Sequence, residues 1–203
     1  MSTAVGPWQL ELETTRSLFA ALLRAISYQQ LHARAAEAIH GRVNALFPGS
    51  PSPTALRRLS DESLRSAGLS AAKLLALRDL AAKAEAGIGP NLAQARRLSD
   101  EVLIERLTTV RGIGPWTVRL LLLCRLGRPD VRPVGDFAIR LAFSRLDLNG
   151  RDTQPAELRC QAERWRPWRS VARWYLWRAV APAPAAAAND LAREGAKGPD
   201  LAE

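Results

Sequence analysis

Residues 110–123, VRGIGPWTVRLLLL, place two glycines and a proline directly before a run of four leucines. Glycine allows a tight turn, and proline is favoured at the first position of a helix. The helix predicted to follow, from about Trp116 to Leu126, is apolar on nearly all sides, so it should be buried in the middle of the fold. The stretch therefore predicts two helices joined by a short turn at the centre of a helical protein.

Helical periodicity continues along most of the chain, and no segment alternates apolar and polar residues between hairpin turns. The predicted fold class is all-α. Serine residues precede several of the helical patterns and are expected to cap them. The predicted helices cover residues 15–25 and 30–47, follow Ser60, Ser70 and Ser99, and begin again at about Asp136, Pro155 and Trp168.

The chain is basic, and its charge is unevenly distributed. Residues 1–180 carry 27 basic against 16 acidic residues, a net charge of +11, whereas residues 181–203 carry two basic and four acidic ones. A compact basic body suits a polyanion such as nucleic acid, although the arginines could equally solvate helix faces. Residues 181–203 are low in complexity and are predicted to form a disordered tail after a helical domain of residues 1–180.

Cysteine and histidine are too few for the common metal sites. Cys124 and Cys160 cannot supply the four thiolates of an iron–sulfur cluster, and His32 and His40 cannot supply a three-ligand zinc site. The N-terminus shows no secretion signal, and the leucine run is far shorter than the ~20 residues of a membrane span. We therefore expect a cytoplasmic protein that requires no cofactor and binds no membrane.

The turn at residues 112–114 is suited to binding a phosphate. Glycines lack a Cβ, so a phosphate can approach the backbone N–H groups at the start of the next helix, where the helix dipole favours negative charge. Such a contact does not depend on base sequence. The alternative is a plain connection that uses glycine only for its backbone freedom, and the turn alone does not decide between the two.

Several stretches around this turn carry a specific resemblance. LTTVRGIGPWTVRLLLL, followed about twenty residues later by VRPVGDFAIRLAF, resembles the helix-hairpin-helix (HhH-GPD) DNA glycosylase superfamily, in particular its DNA-3-methyladenine glycosylase II type. ISYQQLHARAAEAI, GLSAAKLLALRDLA and RWRPWRSVARWYLWR agree with it in the family's order. The resemblance implies a two-lobed all-α fold with the hairpin at its centre. Larger members carry an extra N-terminal β domain, for which we expect this chain to have no room.

The resemblance also implies a reaction. A damaged nucleotide is flipped out of double-stranded DNA, and its N-glycosidic bond is hydrolysed. The family's catalytic carboxylate corresponds to Asp136, and a carboxylate is chemically suited to stabilising positive charge on the sugar and to orienting water. By position alone Asp136 could be only a helix N-cap, and Asp130 in the same loop is the second candidate.

Trp116 indicates the subclass. Bifunctional members of the superfamily carry a lysine at this position, which forms a Schiff base with the sugar and leads to strand cleavage. Arg119 on the same helix cannot replace that lysine because a guanidinium stays protonated, and Lys73 and Lys83 lie on another helix. We therefore expect a monofunctional glycosylase without lyase activity.

Aromatic side chains are expected to bind the flipped base. Trp116 and Trp177 correspond to pocket positions of the family, and Tyr28 is a further candidate. An electron-rich ring attracts a base made cationic by alkylation, with cation–π and stacking contributions of roughly 1–2 kcal/mol. The remaining tryptophans near the C-terminal end of the domain are expected to pack in the core: Trp165, Trp168 and Trp174.

The stretch around Gln30 is expected to contact the DNA duplex. In the resemblance, Gln30 corresponds to the residue that family members insert into the gap left by the flipped base, and Leu31 lies beside it. Gln29 and Gln30 could equally be solvated residues at the start of a helix.

The hairpin carries the remaining expected contacts. Hairpin carbonyls of the superfamily often hold Na⁺ or K⁺, which by position would here bind the backbone oxygens of Thr108, Val110 and Ile113. Contact with the DNA backbone is expected for Gly112, Ile113, Gly114 and Thr117.

The resulting hypothesis is an enzyme that acts as a monomer at the nucleoid on double-stranded DNA with alkylated bases, 3-methyladenine above all. A cleft between the lobes would hold Asp136, Trp116 and Trp177. One alternative is a non-catalytic hairpin module that binds DNA without releasing a base. Another is a helical protein-interaction module without salt-dependent DNA affinity. The three cleft residues favour the enzyme, because a module that only binds DNA needs none of them.

Overall fold

The computed structural model describes residues 6–10, 12, 17–132, 137–147 and 153–180. Within these ranges every regular element is a helix, which confirms the all-α class. The chain divides into two compact units, Glu13–Leu121 and the combination of Met1–Leu12 with Leu122–Glu203. The predictions for Asp136 and for a disordered tail at 181–203 concern residues outside the described ranges.

The unit Glu13–Leu121 contains the helices α1 (Leu18–Tyr28), α2 (Ala33–Ala45), α3 (Pro53–Arg58), α4 (Asp61–Ser66), α5 (Ala71–Glu85), α6 (Leu92–Arg97) and α7 (Asp100–Thr108). Leu74, Leu77 and Leu80 recur at a spacing of three on the buried face of α5, as one side of a helix requires. This helix is the longest of the unit and packs against α1, α3 and α4, while α1 also packs against α2.

Of the three six-residue helices described in this unit, only α4 was predicted, from Ser60 at its start. The other two, α3 and α6, were not predicted, because six residues are too few to show helical periodicity. Their capping signals are nevertheless present in the sequence. Ser52 precedes Pro53 and accepts a hydrogen bond from Ala55 N. Asn91 and Gln94 form a reciprocal capping box, with distances of 2.9 and 3.0 Å between each side-chain oxygen and the other residue's backbone nitrogen.

The connection between α1 and α2 differs from the prediction. A helix was expected from residue 30, but α2 begins at Ala33 and α1 extends to Tyr28. Gln30 interrupts the helical pattern because its φ is +56°, in the left-handed region that non-glycine residues rarely adopt. Gln29 and Gln30 therefore lie in a short loop between two helices and do not start one.

The helix that follows the glycine turn, α8 (Pro115–Cys124), is buried in its second half and more exposed at its start, and the division between the two units falls within it. Val118 and the run Leu121–Leu123 are buried, which confirms that this apolar stretch belongs to the core. Among the described residues, none of the helices has the length and apolar character needed to cross a membrane.

The second unit contains α9 (Phe137–Asp147), α10 (Pro155–Glu163) and α11 (Arg169–Val180), and α9 packs against both of the others. Trp174 is buried, as expected, and Trp165 contacts Phe143 edge-to-face at 6.0 Å between ring centroids. The prediction that Trp168 packs in the core is wrong, because its residue surface is 60% exposed. It lies between the turn at residues 164–167 and the start of α11.

Candidate functional site

The turn between α7 and α8 is a compact hairpin. Its backbone is closed by a hydrogen bond of 3.0 Å from Ile113 N to Val110 O, and α8 begins with a bond of 3.2 Å from Val118 N to Gly114 O. Val110 and Ile113 are buried, so they fix the turn to the core while the glycines stay at the surface. The first N–H groups of α8 have no partner within the helix, as at every helix N-terminus.

The two glycines of the hairpin differ in backbone conformation and in the space around them. Gly112 has a φ of +76°, which disfavours any side chain, and a Cβ there would also lie 3.4 Å from Ala76 Cβ. Gly114 is not in this region, and a Cβ there would meet nothing within 4 Å. The fold therefore requires glycine at 112 but not at 114, where the open space would admit an external group close to the backbone.

The loop between α1 and α2 is joined to this hairpin by a hydrogen bond that the sequence analysis missed. Gln29 Nε2 donates to Gly112 O at 2.7 Å, across 83 residues of sequence. Gln30 is exposed beside it in its left-handed conformation, which costs of order 1 kcal/mol. The structure thus brings the predicted wedge residue and the predicted phosphate-binding turn to the same part of one unit. Leu31, next to Gln30, is half-buried.

Tyr28, a candidate for the base pocket, already has charged and aromatic neighbours. The guanidinium of Arg24 lies 4.3 Å from its ring centroid, and the His40 ring meets it edge-on at 5.5 Å. Burial, followed by repulsion from Arg24, lowers the pKa of His40 to about 4. Asn44 Nδ2 lies 2.9 Å from His40 Nε2, an arrangement that suits a neutral imidazole accepting from the amide.

Trp116 follows Pro115 in the first turn of α8 and is half-buried, as is Thr117 beside it. The indole Nε1 of Trp116 is buried and has no acceptor among the described residues. A buried donor of this kind usually costs about 1–3 kcal/mol unless water or a ligand binds it.

Trp177 lies on α11 in the other unit and is only 1% exposed. The guanidinium of Arg173 lies 4.4 Å from its ring centroid, and its buried Nε1 also lacks an acceptor within the described part of the chain. Because Trp116 and Trp177 belong to different units and Asp136 is outside the described residues, a cleft shared by the three stays a prediction.

Asp130, the second candidate for catalysis, forms an ion pair with the buried Arg169. Both of its carboxylate oxygens accept from Arg169, from Nε at 2.7 Å and from Nη2 at 3.0 Å. Ser170 binds the same loop, since its Oγ donates to Arg128 O at 2.6 Å and accepts from Val131 N at 3.0 Å. These contacts fasten residues 128–131 to the start of α11.

The carbonyls predicted to hold a monovalent cation lie at the end of α7 and in the hairpin. Val110 O accepts the hydrogen bond from Ile113 N that closes the turn, so one of its lone pairs is already used. Within the part of the chain that the structure describes, no group of three or more acidic, histidine or cysteine side chains could hold a metal ion. The cation site remains a prediction.

Comparison with known proteins gives a family match over most of the chain. Residues 23–183 match the family described as HhH-GPD superfamily base excision DNA repair protein. DNA-3-methyladenine glycosylase 1 of Schizosaccharomyces pombe is 38% identical over 159 residues, which are 77% of this chain and 70% of the relative.

Two solved structures share the fold. One is the 3-methyladenine DNA glycosylase of Schizosaccharomyces pombe in complex with abasic DNA, with a TM-score of 0.76, 35% identity and coverage of 87% of both chains. The other is a DNA-3-methyladenine glycosidase of Bacillus halodurans, with a TM-score of 0.80 and 35% identity. That comparison covers 87% of this chain and 81% of the other.

An all-α chain with a glycine hairpin at the start of a buried helix defines a helix-hairpin-helix protein. The family match covers most of the chain and extends through both units. The protein therefore belongs to the HhH-GPD superfamily of base excision DNA repair proteins.

Proposed function

We propose that this protein is a DNA glycosylase that removes alkylated bases, 3-methyladenine foremost, from double-stranded DNA by hydrolysing the N-glycosidic bond. The observation that carries the proposal is the hairpin. Its Gly114 leaves open space for a phosphate at the N-terminus of α8, and the chain belongs to a family of base excision DNA repair proteins. The relatives that it matches are named for 3-methyladenine, which supports that choice of substrate.

In this proposal each part of the site has a separate role. The hairpin binds a phosphate of the DNA backbone, and Gln30 enters the gap left by the flipped nucleotide. The exposed, left-handed conformation of Gln30 supports that role, since strained residues occur preferentially at functional sites. Asp136 stabilises the positive charge on the sugar and orients the attacking water.

Trp116 and Trp177 bind the flipped base in the same proposal. An aromatic face attracts a cationic, alkylated ring, and such a base is also the better leaving group. Trp177 is 1% exposed and the Arg173 guanidinium lies over its ring, so base binding at Trp177 requires Arg173 to move. Both carry a buried indole N–H without an acceptor among the described residues. A base or a water molecule could satisfy these two donors, and this supports a ligand-binding role.

The assignment of Asp136 is tested by base release from methylated duplex DNA. We expect Asp136→Asn to slow release by roughly 10²- to 10⁴-fold, because the amide cannot stabilise the cationic sugar. Asp130→Asn is the matched variant in the same loop. It should instead lower the free energy of unfolding by roughly 1–3 kcal/mol, since it leaves the buried Arg169 partly unpaired.

Equal base release by the wild type and Asp136→Asn would contradict the catalytic assignment. Tight DNA binding without base release by the wild type would favour the non-catalytic hairpin module. A larger rate loss in Asp130→Asn than in Asp136→Asn would exchange the roles of the two carboxylates.

We further propose that the enzyme is monofunctional. Trp116 stands where bifunctional members carry the Schiff-base lysine. Both described lysines are engaged with backbone carbonyls: Lys73 Nζ donates to Ser27 O at 2.9 Å, and Lys83 Nζ donates to Thr109 O. Borohydride treatment during turnover should therefore trap no covalent adduct with DNA, and a trapped adduct would overturn this proposal.

The remaining expectations concern conditions and assembly. We propose that base release needs no divalent metal and continues in a chelator, with at most a structural Na⁺ or K⁺ at the carbonyls of Thr108, Val110 and Ile113. The protein should act as a monomer on cytoplasmic, nucleoid-bound DNA. Light scattering of the protein with and without duplex DNA would test the monomeric state.

A further inference from the structure

One face of α5 is directed at the hairpin and at the loop before α2. Lys73, Ala76, Asp79 and Lys83 follow one another at intervals of three, three and four residues, so they share a side of the helix. A Cβ on Gly112 would lie 3.4 Å from Ala76 Cβ. Lys73 Nζ donates a hydrogen bond to Ser27 O, near the end of α1. This face carries both of the lysines in the described residues, together with a carboxylate.

Asp79 and Lys83 together bind two backbone groups of the hairpin. Arg111 N donates to Asp79 Oδ2 at 2.6 Å, and Lys83 Nζ donates both to Thr109 O and to Asp79 Oδ2, the latter at 2.8 Å. Partial burial alone would raise the pKa of Asp79, but the Arg111 N–H and the Lys83 ammonium outweigh it and hold that pKa below its usual value. The carboxylate is therefore ionised at neutral pH.

Gln29 binds the same backbone from another direction. Its Nε2 donates to Gly112 O, so three side chains from two elements hold the backbone of three hairpin residues, at Thr109 O, Arg111 N and Gly112 O. None of these hydrogen bonds is part of the regular backbone hydrogen bonding of a helix. A turn held in this way has little backbone freedom left to lose when it binds a partner.

We propose that Gln29, Asp79 and Lys83 are positioning residues that hold the hairpin backbone in the conformation that binds the DNA phosphate. They reach the DNA only through the hairpin, and so they are not catalytic residues. The proposal rests on the proposed function for its account of what the hairpin binds. Loss of these side-chain hydrogen bonds should weaken the binding of any duplex, damaged or not. The hairpin backbone would then have to lose conformational freedom when it binds DNA.

The decisive variant is Asp79→Ala, with Glu85→Ala as its matched control. Each removes one carboxylate from α5, but Glu85 pairs with Arg57 at 2.6 Å, and no contact joins it to the described hairpin residues. Electrostatics alone predicts that either variant binds DNA more tightly, because a negative charge is lost. The positioning role predicts the opposite sign for Asp79→Ala, with affinity for an undamaged duplex lowered by roughly 10-fold.

Kinetics and a second variant separate positioning from a merely structural role. In methylated DNA, Asp79→Ala should raise KM by about the same 10-fold factor and change kcat much less, since uniform binding is lost. Gln29→Leu, which changes no charge and lies outside α5, should act in the same direction. Thermal unfolding measured in parallel gives the stability change, which alone would alter neither duplex affinity nor KM far below the melting temperature.

The outcomes distinguish this proposal from the proposed function. Weaker duplex binding by Asp79→Ala and Gln29→Leu supports the positioning role even if the wild type releases no base, a result that would reject only the glycosylase. Affinities equal to that of Glu85→Ala, or a loss in kcat with unchanged KM, would overturn the positioning role. If Asp79→Ala does not fold, the duplex affinity of Gln29→Leu decides by itself.

Discussion

His40 is a half-buried ionisable side chain in the helical unit that carries the hairpin. It meets the edge of Tyr28, and its Nδ1 is buried without an acceptor among the described residues. Arg24 lies over the same tyrosine ring, so a proton on His40 would be both desolvated and repelled. The imidazole is therefore neutral in the folded protein at neutral pH.

The lowered pKa of His40 predicts a pH-dependent loss of stability. Its folded value is about 4 against 6.5 for an ordinary histidine. Between these values the unfolded chain binds a proton that the folded chain does not, so the stability is fully present above 6.5 and declines towards 4. Urea unfolding at about pH 7 and about pH 5 should show a smaller loss for His40→Gln than for the wild type. An equal loss would mean that other groups cause the acid sensitivity.

Arg169 and Asp130 illustrate a residue pair whose importance is structural. Asp130 was a candidate for catalysis because it lies in the loop that leads towards Asp136. Its two oxygens are instead bound by a guanidinium that is itself buried, so the pair fixes the loop to α11. Removing one partner of such a pair costs more than the pair contributes, because a charge is left without compensation.

At the scale of elements, the hairpin combines a glycine that the fold needs with one that it does not. Gly112 occupies the left-handed region, and a Cβ there would lie 3.4 Å from Ala76 Cβ, whereas a Cβ at Gly114 would meet nothing within 4 Å. If the open space admits a phosphate, the two positions should respond differently to the same small substitution.

Gly112→Ala should lower the free energy of unfolding by about 1–2 kcal/mol, the cost of a Cβ in the left-handed region, and weaken DNA binding as well. Gly114→Ala should leave stability unchanged and weaken DNA binding, because the new methyl group obstructs the approach of the phosphate. Chemical denaturation and duplex affinity measured on both variants check the pair. Unchanged DNA affinity in Gly114→Ala would contradict phosphate binding at this turn.

At the scale of the whole molecule, the charge balance should govern how the protein finds DNA. Residues 1–180 carry a net charge of +11, with arginine far more frequent than lysine. Arginine binds phosphates through a planar group with several donors, so a basic helical protein of this kind suits contact with the DNA backbone.

We therefore expect the affinity for an undamaged duplex to fall by roughly 10- to 10³-fold between about 50 and 200 mM salt, since each phosphate contact releases a counterion. A titration at four salt concentrations gives the slope of log affinity against log salt. An affinity independent of salt would favour the protein-interaction alternative over both DNA-binding functions.

Much of the fold could be predicted from the sequence because its signals are local. The serine caps and the proline start of α8 depend on residues within one turn of each helix. Two six-residue helices, α3 and α6, were missed because they are too short to show periodicity. Trp168 was misplaced because the sequence alone does not distinguish an exposed aromatic residue near a turn from one in the core.

The sequence by itself determined the all-α class, the hairpin and the family, because periodicity, turn chemistry and motif order are properties of neighbouring residues. Only the tertiary structure decided which side chains hold that hairpin. Gln29 reaches Gly112 across 83 residues, and Asp79 reaches Arg111 across 32. A polar side chain on a helix looks solvated in the sequence, and its partner is known only once packing has brought the distant backbone within hydrogen-bond distance.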